Sequence, residues 1–294
     1  QEVDITGITL PITKHNYLVT KASDLARIIK ESFYIASSGR PGPVLIDIPR
    51  DVFVEEANFS YPTSVDLPGY KPKLTGHPTQ IKRAAKLINE AKRPVIVAGR
   101  GVIISGAQEG IKELAEKAHI PVVTTLLGIG SFPENHDLSF GMLGMHGMAY
   151  ANMAICATDV LIAIGMRFDD RATARVSDFA PHARVIHIDI DPAEIGKNVP
   201  VEVPIVGDVK VVLQSLNKEV SASNRMDWVR QIEQWRQEHP CVYIRESNSL
   251  LPQYVIRQIY EVTKGDAIIV TGVGQNQMWA AQHFWYTKPR GFVS

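Results

Sequence analysis

The fold is decided by the stretch from residue 94 to residue 101, which reads Pro-Val-Ile-Val-Ala-Gly-Arg-Gly. Its apolar run is short and uninterrupted, which is typical of a fully buried parallel strand. Two closely spaced glycines, Gly99 and Gly101, follow the run and would let the backbone approach a phosphate group or a ring. The stretch therefore predicts a strand that leads into a ligand-binding turn.

Apolar runs and helical patterns alternate on both sides of this stretch. Further strands are predicted at Pro121–Thr125, Val160–Ile164, Val185–Asp189 and Val203–Val206. Apolar residues recur at helical spacing over Ile81–Ile88, Ile111–Ala118 and Val209–Leu216. Strands that alternate with helices predict an α/β fold. Residues 79–217 are therefore expected to form one complete domain, a doubly wound, mostly parallel sheet with helices on both faces.

The two ends of the chain have too few predicted elements to form cores of their own. A helix and a strand are predicted at Leu25–Ala36 and Val44–Ile48, and a second such pair at Pro252–Val262 and Ala267–Val270. We interpret residues 1–50 as the last part of one domain and residues 249–294 as the start of another. Prolines and glycines predict a linker at 51–78, and residues 218–248 are predicted to form a polar connecting helix. Because the sequence lacks an initial Met, we expect an internal piece of a longer protein.

Composition excludes several classes of protein. The chain has 294 residues, and its 31 Lys and Arg balance its 31 Asp and Glu, so it lacks the positive charge of a typical nucleic-acid binder. No apolar run approaches the roughly 20 residues of a membrane helix. The two cysteines, Cys156 and Cys241, are too few for a disulfide framework or a zinc cluster. The pattern favours a globular protein of a reducing compartment.

The residues that follow the predicted strands point to a nucleotide. Glycine, threonine, arginine or aspartate residues occur after each of five strands, at 99–101, 124–126, 165–171, 189–191 and 207–208. In open α/β sheets, ligands bind beyond the carboxyl ends of the strands, where arginines suit phosphates and carboxylates suit ribose hydroxyls. The alternative is that these are ordinary turn residues, since Gly and Asp are common in such loops.

The usual dinucleotide fingerprint is broken. Ile104 stands where the third glycine is required, and the next strand ends in Thr124 and Thr125 rather than in an acidic residue; the first suitable carboxylate is Asp189. NAD is therefore disfavoured. The loop Leu143-Gly-Met-His-Gly147, with its flexible methionines, suits a flat ring system, or alternatively packs as an apolar loop on the sheet.

Several segments together resemble the acetohydroxyacid synthase family, also called acetolactate synthase. They are 14–17 (Lys-His-Asn-Tyr), 38–44 (Ser-Gly-Arg-Pro-Gly-Pro-Val), 143–147, 167–171 (Arg-Phe-Asp-Asp-Arg), 187–198 and 274–281. The resemblance runs through the whole chain in order. It implies the end of a pyrimidine-binding domain, a complete Rossmann-like FAD domain and the start of a pyrophosphate-binding domain.

The resemblance also implies roles for single residues. The positions that would contact FAD are Gln1, Arg40, Gly99, Arg100, Gly101, Thr125, Leu126, Leu143, Gly144, Met145, His146, Gly165, Met166, Arg167, Phe168, Asp169, Asp189, Ile190, Asp208 and Val209. Gln275 and Asn276 would lie against thiamine diphosphate, and family members often have histidine in place of Asn276. Arg50, Asp170 and Arg171 would line the substrate channel, together with Met145 and His146. No catalytic or metal-binding residue is assigned, because the activating glutamate and the magnesium motif of the family are expected outside this chain.

The activity that the resemblance implies is a transferase reaction of branched-chain amino-acid biosynthesis. Pyruvate is decarboxylated and condensed with a second pyruvate or with 2-oxobutanoate, with thiamine diphosphate, FAD and Mg²⁺ as cofactors. The implied protein is a cytoplasmic or plastid homodimer or homotetramer, with a small regulatory subunit as a further partner, and this piece alone is expected to be inactive. Two alternatives stay open: another thiamine-diphosphate enzyme, such as a pyruvate oxidase or a glyoxylate carboligase, and a non-catalytic nucleotide-binding module.

Overall fold

Residues 3–294 are described by the structure, a computed structural model, so Gln1 lies outside the described residues. The chain divides into a first unit that ends at Lys73 and a second unit that begins at Leu74. The first unit contains α1 (Ile5–Thr9), β1 (His15–Leu18), α2 (Leu25–Ser37), β2 (Val44–Asp47) and α3 (Arg50–Val54). Its two strands pair in parallel, and Val19, Ile28 and Val52 form its small core.

The second unit carries the remaining elements. In chain order they are α4 (Pro78–Glu90), β3 (Pro94–Ala98), α5 (Arg100–Ser105), α6 (Gln108–Ala118), β4 (Val122–Thr124), β5 (Ser139–Met142), α7 (Ala149–Ala157), β6 (Val160–Ile164), α8 (Asp170–Thr173), β7 (Arg184–Asp189), β8 (Val203–Val206), α9 (Val209–Glu219), α10 (Met226–Glu238), α11 (Pro252–Thr263), β9 (Ile269–Val270), α12 (Gln275–His283) and β10 (Phe292–Val293). The α/β prediction is confirmed. No helix among residues 3–294 is long and apolar enough to cross a membrane.

Six strands of the second unit form one parallel sheet in the order β5-β4-β3-β6-β7-β8. The chain starts this sheet in the middle, at β3, builds outward through β4 and β5, and then returns to the other side of β3 with β6. The order of the strands therefore reverses between β3 and β6. In doubly wound sheets this reversal opens a crevice at the carboxyl ends of the two strands, where ligands bind.

Strand β6 shows why the sheet is covered on both faces. Alternate side chains of a strand point to opposite faces. Ile162 therefore packs with helices α4, α6 and α9, whereas Leu161 packs with α7 and α10, and both side chains are fully buried. Helix α10, the predicted connecting helix, contributes to this second core through Trp228, whose indole Nε1–H donates to the Pro94 carbonyl at 3.0 Å.

The last segment of the second unit packs beside β5. Strands β9 and β10 pair in parallel as a separate two-stranded sheet. Helix α12 lies between them in the chain, and its residue Ala281 is buried in one apolar cluster with Ile129 and Met142 from the β4–β5 region. The structure thus joins residues 249–294 to the central sheet within one unit, and the division of the chain into five segments stays a prediction.

Candidate functional site

Loops after β3, β4, β6, β7 and β8 lie at one edge of the central sheet, because all of these strands are parallel. The described residues of the proposed FAD set that belong to the second unit lie at this edge of the sheet. Asp189 ends β7, and the others lie on the loops after the six strands or in the helical turns that follow, where Arg100, Gly101, Leu126 and Val209 are found. The set nevertheless divides by exposure. Met166 and Phe168 are buried in the apolar core, whereas Arg100, Met145, His146 and Arg167 are exposed. The exposed side chains are the ones positioned to meet a ligand.

The turns after β3 and β6 pack directly on each other where the strand order reverses. The Gly101 amide donates to the Gly165 carbonyl at 2.8 Å, and the Gly99 amide donates to the Ile164 carbonyl at 2.9 Å. A Cβ atom on Gly99 would lie 2.3 Å from the Gly165 oxygen, and one on Gly101 would lie 2.6 Å from the Gly165 Cα. These glycines therefore let two turns approach each other, and their amides are used within the protein. Arg100, between them, is left to face outward.

The loop 143–147 is joined to the loop after β6. The Met145 amide donates to the Arg171 carbonyl at 3.0 Å. Gly144 lies at φ +102°, and a Cβ atom there would lie 2.4 Å from the same carbonyl oxygen, so only glycine fits. The structure thus brings together Met145 and Arg171, two of the residues expected near the substrate channel.

Asn152 is a positioning residue that the sequence did not reveal. It lies in α7, where its Oδ1 accepts from the Gly144 amide at 2.8 Å and its Nδ2 donates to the Gly144 carbonyl at 3.0 Å. One side-chain amide therefore satisfies both polar groups of one loop residue. The available signal was a single asparagine in an otherwise apolar helix, Ala149–Ala157.

Arg167 and Asp169 form the charged part of the loop after β6. Arg167 Nη2 lies 3.7 Å from Asp169 Oδ2, and the two side chains are 56% and 42% exposed. Asp169 also caps α8, since its Oδ1 accepts from the Ala172 amide at 3.0 Å. The carboxylate is therefore held by the helix, while most of the Arg167 guanidinium stays accessible to an anion.

Two further side chains hold the backbone on either side of Arg167. His187 is fully buried, and its Nε2 lies 3.0 Å from the Met166 carbonyl, while Asn198 Nδ2 donates to the Phe168 carbonyl at 2.6 Å. Burial lowers the pKa of His187, partly offset by the Met166 hydrogen bond and by the charge of Glu194. A neutral ring with Nε2–H as donor suits this contact. The sequence did not single out either residue for this role.

The carboxylates after β7 and β8 are engaged within the protein. Asp189 is buried, and its Oδ1 accepts from the Asp191 amide at 2.9 Å. Asp208 caps α9 by accepting from the Val211 amide at 3.2 Å, and it also accepts from the Ser105 hydroxyl at 2.9 Å. Asp208 thus ties α9 to the end of α5.

Gln275 and Asn276 lie at the start of α12, and both are exposed. The residue before them, Gly274, adopts φ +141°, a conformation open to glycine. Gln277, one residue further, is buried and donates to the Ser294 hydroxyl at 2.5 Å. The first turn of α12 is therefore anchored on one side and presents two side-chain amides on the other.

The remaining predicted residues lie in the first unit. Arg40 is exposed in the loop that leads to β2, and Arg50 is the exposed first residue of α3. Among residues 3–294, no group of three or more His, Cys, Asp or Glu side chains is arranged to hold a metal ion.

Comparisons with known proteins agree with this arrangement. Residues 81–216, the central sheet with its covering helices, match the family described as "Thiamine pyrophosphate enzyme, central domain". The whole chain is 50% identical to an acetolactate synthase large subunit of Mycobacterium tuberculosis, of which it covers 49%. It is 45% identical to the chloroplastic acetolactate synthase 1 of Oryza sativa and 42% identical to the isozyme 3 large subunit of Escherichia coli, of which it covers 47% and 53%.

The matches cover all of this chain but only part of each relative. Every residue of this chain takes part in them, but the chain spans about half the length of the curated relatives it matches. The similarity reaches bacterial and plant proteins and includes both units of the structure. Over its whole length the chain therefore matches acetolactate synthase large subunits, and its central part matches the thiamine pyrophosphate enzyme family, as the sequence motifs predicted.

Proposed function

We propose that the complete protein is an acetolactate synthase that condenses pyruvate with a second pyruvate or with 2-oxobutanoate. The observation that carries the proposal is the similarity of this whole chain to large subunits of that name, at 42–50% identity over about half of their length. Thiamine diphosphate supplies the decarboxylation and carbon–carbon bond-forming chemistry when it is bound. The residues of this chain bind and orient the cofactors.

We propose further that the carboxyl edge of the central sheet binds FAD. Two features support this proposal: the strand order reverses between β3 and β6, and the exposed Arg100 and Arg167 follow these two strands. The donor set fits a dinucleotide diphosphate, because planar guanidinium groups bind phosphate oxygens in pairs. The exposed Met145 supplies an apolar surface for a flat ring.

Gln275 and Asn276 are proposed as contacts for thiamine diphosphate. Both are exposed at the start of α12, directly after Gly274. Asn276 offers one donor and one acceptor where family members often carry histidine. An amide cannot titrate near neutral pH, so Asn276 binds or orients but does not transfer a proton.

The remaining parts of the proposal rest on the family resemblance. Mg²⁺ would be bound mainly by residues outside this chain, where the activating glutamate is also expected. Arg50, Asp170 and Arg171 are proposed for the substrate channel, and a homodimer or homotetramer with a regulatory subunit is proposed as the assembly. A cytoplasmic or plastid location is proposed on the same family grounds.

Two measurements on the full-length protein test the proposal. In the first, the protein is titrated with FAD and with NAD, and flavin absorption and fluorescence are followed. Tight FAD binding with weak NAD binding is expected, and the reverse order would refute the FAD site. In the second, acetolactate is measured with pyruvate, thiamine diphosphate, Mg²⁺ and FAD. Parallel assays supply pyruvate with phosphate and O2, or glyoxylate in place of pyruvate. Formation of acetyl phosphate in the first, or of tartronate semialdehyde in the second, without acetolactate from pyruvate would favour the oxidase or carboligase alternative.

A further inference from the structure

The β5 edge of the central sheet packs against helix α12 and the residues that follow it, and we call this apolar contact the junction. Met142 at the end of β5 and Ile129 in the preceding loop are buried against Ala281, Phe284 and Tyr286. All of these side chains are at most 3% exposed. The junction therefore behaves as part of one core, and a displacement of one side is transmitted to the other.

A side-chain hydrogen bond joins helix α12 to the loop 143–147. Gln282 lies on α12, and its Nε2 donates to the His146 carbonyl at 2.8 Å. Gln282 follows Gln275 by seven residues, which is two helical turns, so the two side chains project from the same face of the helix. Gln282, which holds the loop, and Gln275, which is proposed to contact thiamine diphosphate, are therefore about 10 Å apart along one rigid helix.

The loop is also held from its other side. Asn152 binds both polar groups of Gly144, and Met145 donates to Arg171. The loop thus lies between the turn after β6, which carries Arg167, and the helix that carries Asn276. A ligand that orders the turn after β6 therefore also biases the position of helix α12.

We propose that Gln282 is a positioning residue that couples the flavin and thiamine sites, so that binding of either cofactor raises the affinity for the other. The inference rests on the function proposed above. It assigns to FAD an effect on the thiamine site that requires no electron transfer, because the connection passes through a carbonyl, an amide and a helix. Coupling of this kind is reciprocal. The factor by which bound FAD raises the affinity for thiamine diphosphate equals the factor by which bound thiamine diphosphate raises the affinity for FAD.

The test uses the full-length protein with three variants. Gln282→Met removes the donor and keeps the length of the side chain, whereas Gln282→Lys keeps an N–H donor. Gln258→Met, at an exposed glutamine of the neighbouring helix α11, is the matched control. The dissociation constant of FAD is measured from flavin fluorescence with and without saturating thiamine diphosphate and Mg²⁺. The reverse titration, with and without saturating FAD, follows the tryptophan fluorescence of the protein, to which Trp279 on α12 contributes.

We expect each cofactor to tighten the other about tenfold in the wild type and in Gln258→Met, within the usual range of such coupling. The coupling ratio is the dissociation constant of one cofactor measured without the other, divided by the value measured with it. This ratio should fall to about one in Gln282→Met and recover most of its value in Gln282→Lys. An equal ratio in the wild type and Gln282→Met, or no coupling in a wild type that binds both cofactors, would overturn the inference alone. Failure of the wild type to bind FAD or thiamine diphosphate would instead overturn the proposed function, and the inference with it.

Discussion

Glu134 and Tyr286 are joined by two hydrogen bonds between the central sheet and the last segment of the chain, both of which use the backbone of Tyr286. Glu134 Oε2 accepts from the Tyr286 amide, and the Glu134 amide donates to the Tyr286 carbonyl at 3.1 Å. Burial raises the pKa of Glu134 to about 8, against the lowering effect of the Tyr286 hydrogen bond. The carboxyl group is therefore neutral in the folded chain at neutral pH.

This pKa predicts a loss of stability in mild alkali. The unfolded chain releases the Glu134 proton near its ordinary pKa, so the folded state holds the extra proton between about pH 5 and 8, and stability falls as pH rises through this range. From pH 7 to pH 9, the free energy of unfolding should decrease by about 1 kcal/mol from this group. Chemical unfolding at the two pH values measures the change.

Glu134→Gln provides the control for this prediction. The amide oxygen still accepts from Tyr286 but cannot ionise. The variant should lose about 1 kcal/mol less than the wild type between pH 7 and pH 9. An identical decline in both proteins would assign the pH dependence to other groups.

Ala174 is strained, and its replacement by glycine should stabilise the chain. The residue lies directly after α8 at φ +52° and ψ −119°, a region that side chains with a Cβ atom rarely enter. Ala174→Gly should raise the free energy of unfolding by about 1 kcal/mol, because removal of the strain outweighs the added freedom of the unfolded chain. Ala172→Gly, two residues earlier and within the helix, should have the opposite sign. Destabilisation by both variants would contradict the assignment of strain.

Arg225 should be among the most sensitive positions of the second unit. It is 7% exposed, and its guanidinium donates to the carbonyls of Ala91, Ala118 and Ile88, at the ends of α4 and α6. Arg225→Met would leave these carbonyls without their donor and should cost about 2–4 kcal/mol.

Arg230→Met is the matched control for Arg225. Arg230 is 72% exposed and forms an ion pair with Asp227 at 3.5 Å on the same helix. Its replacement should change stability by less than about 0.5 kcal/mol. Urea denaturation of both variants decides the question, and similar midpoints would show that the buried contacts of Arg225 contribute little.

Arg167 is predicted to retain FAD. Arg167→Ala in the full-length protein should weaken FAD binding by about 1.5–3 kcal/mol, the usual loss for a charge-assisted contact. Arg175→Ala removes another exposed arginine of the same β6–β7 connection, one that pairs with Asp178 at 3.5 Å, and should leave the affinity unchanged. Flavin occupancy over a dilution series compares the two variants. Equal retention would mean that Arg167 is an ordinary surface residue.

Local sequence was sufficient for the elements with strong periodicity. Strands β3, β6 and β7 were predicted within one residue, because a buried parallel strand is a continuous apolar run. Helices α4 and α9 were predicted from their apolar stripes. Strand β5, Ser139-Phe-Gly-Met142, was not predicted, because it contains glycine and serine and becomes a strand only by pairing with β4. Helix α10 was predicted as a connection, although Trp228 and Ile232 are buried in the core.

The sequence by itself determined the class of fold, the edge of the sheet that carries the polar loops, and the family. These depend on apolar periodicity and on motifs, which are local properties of the chain. Tertiary structure alone decided which loops touch: Gly101 with Gly165, Asn152 with Gly144, Gln282 with His146, and Glu134 with Tyr286. Such contacts join residues that are 8 to more than 150 positions apart in the chain. Their hydrogen bonds depend on strand order and side-chain direction, which exist only after the sheet has assembled.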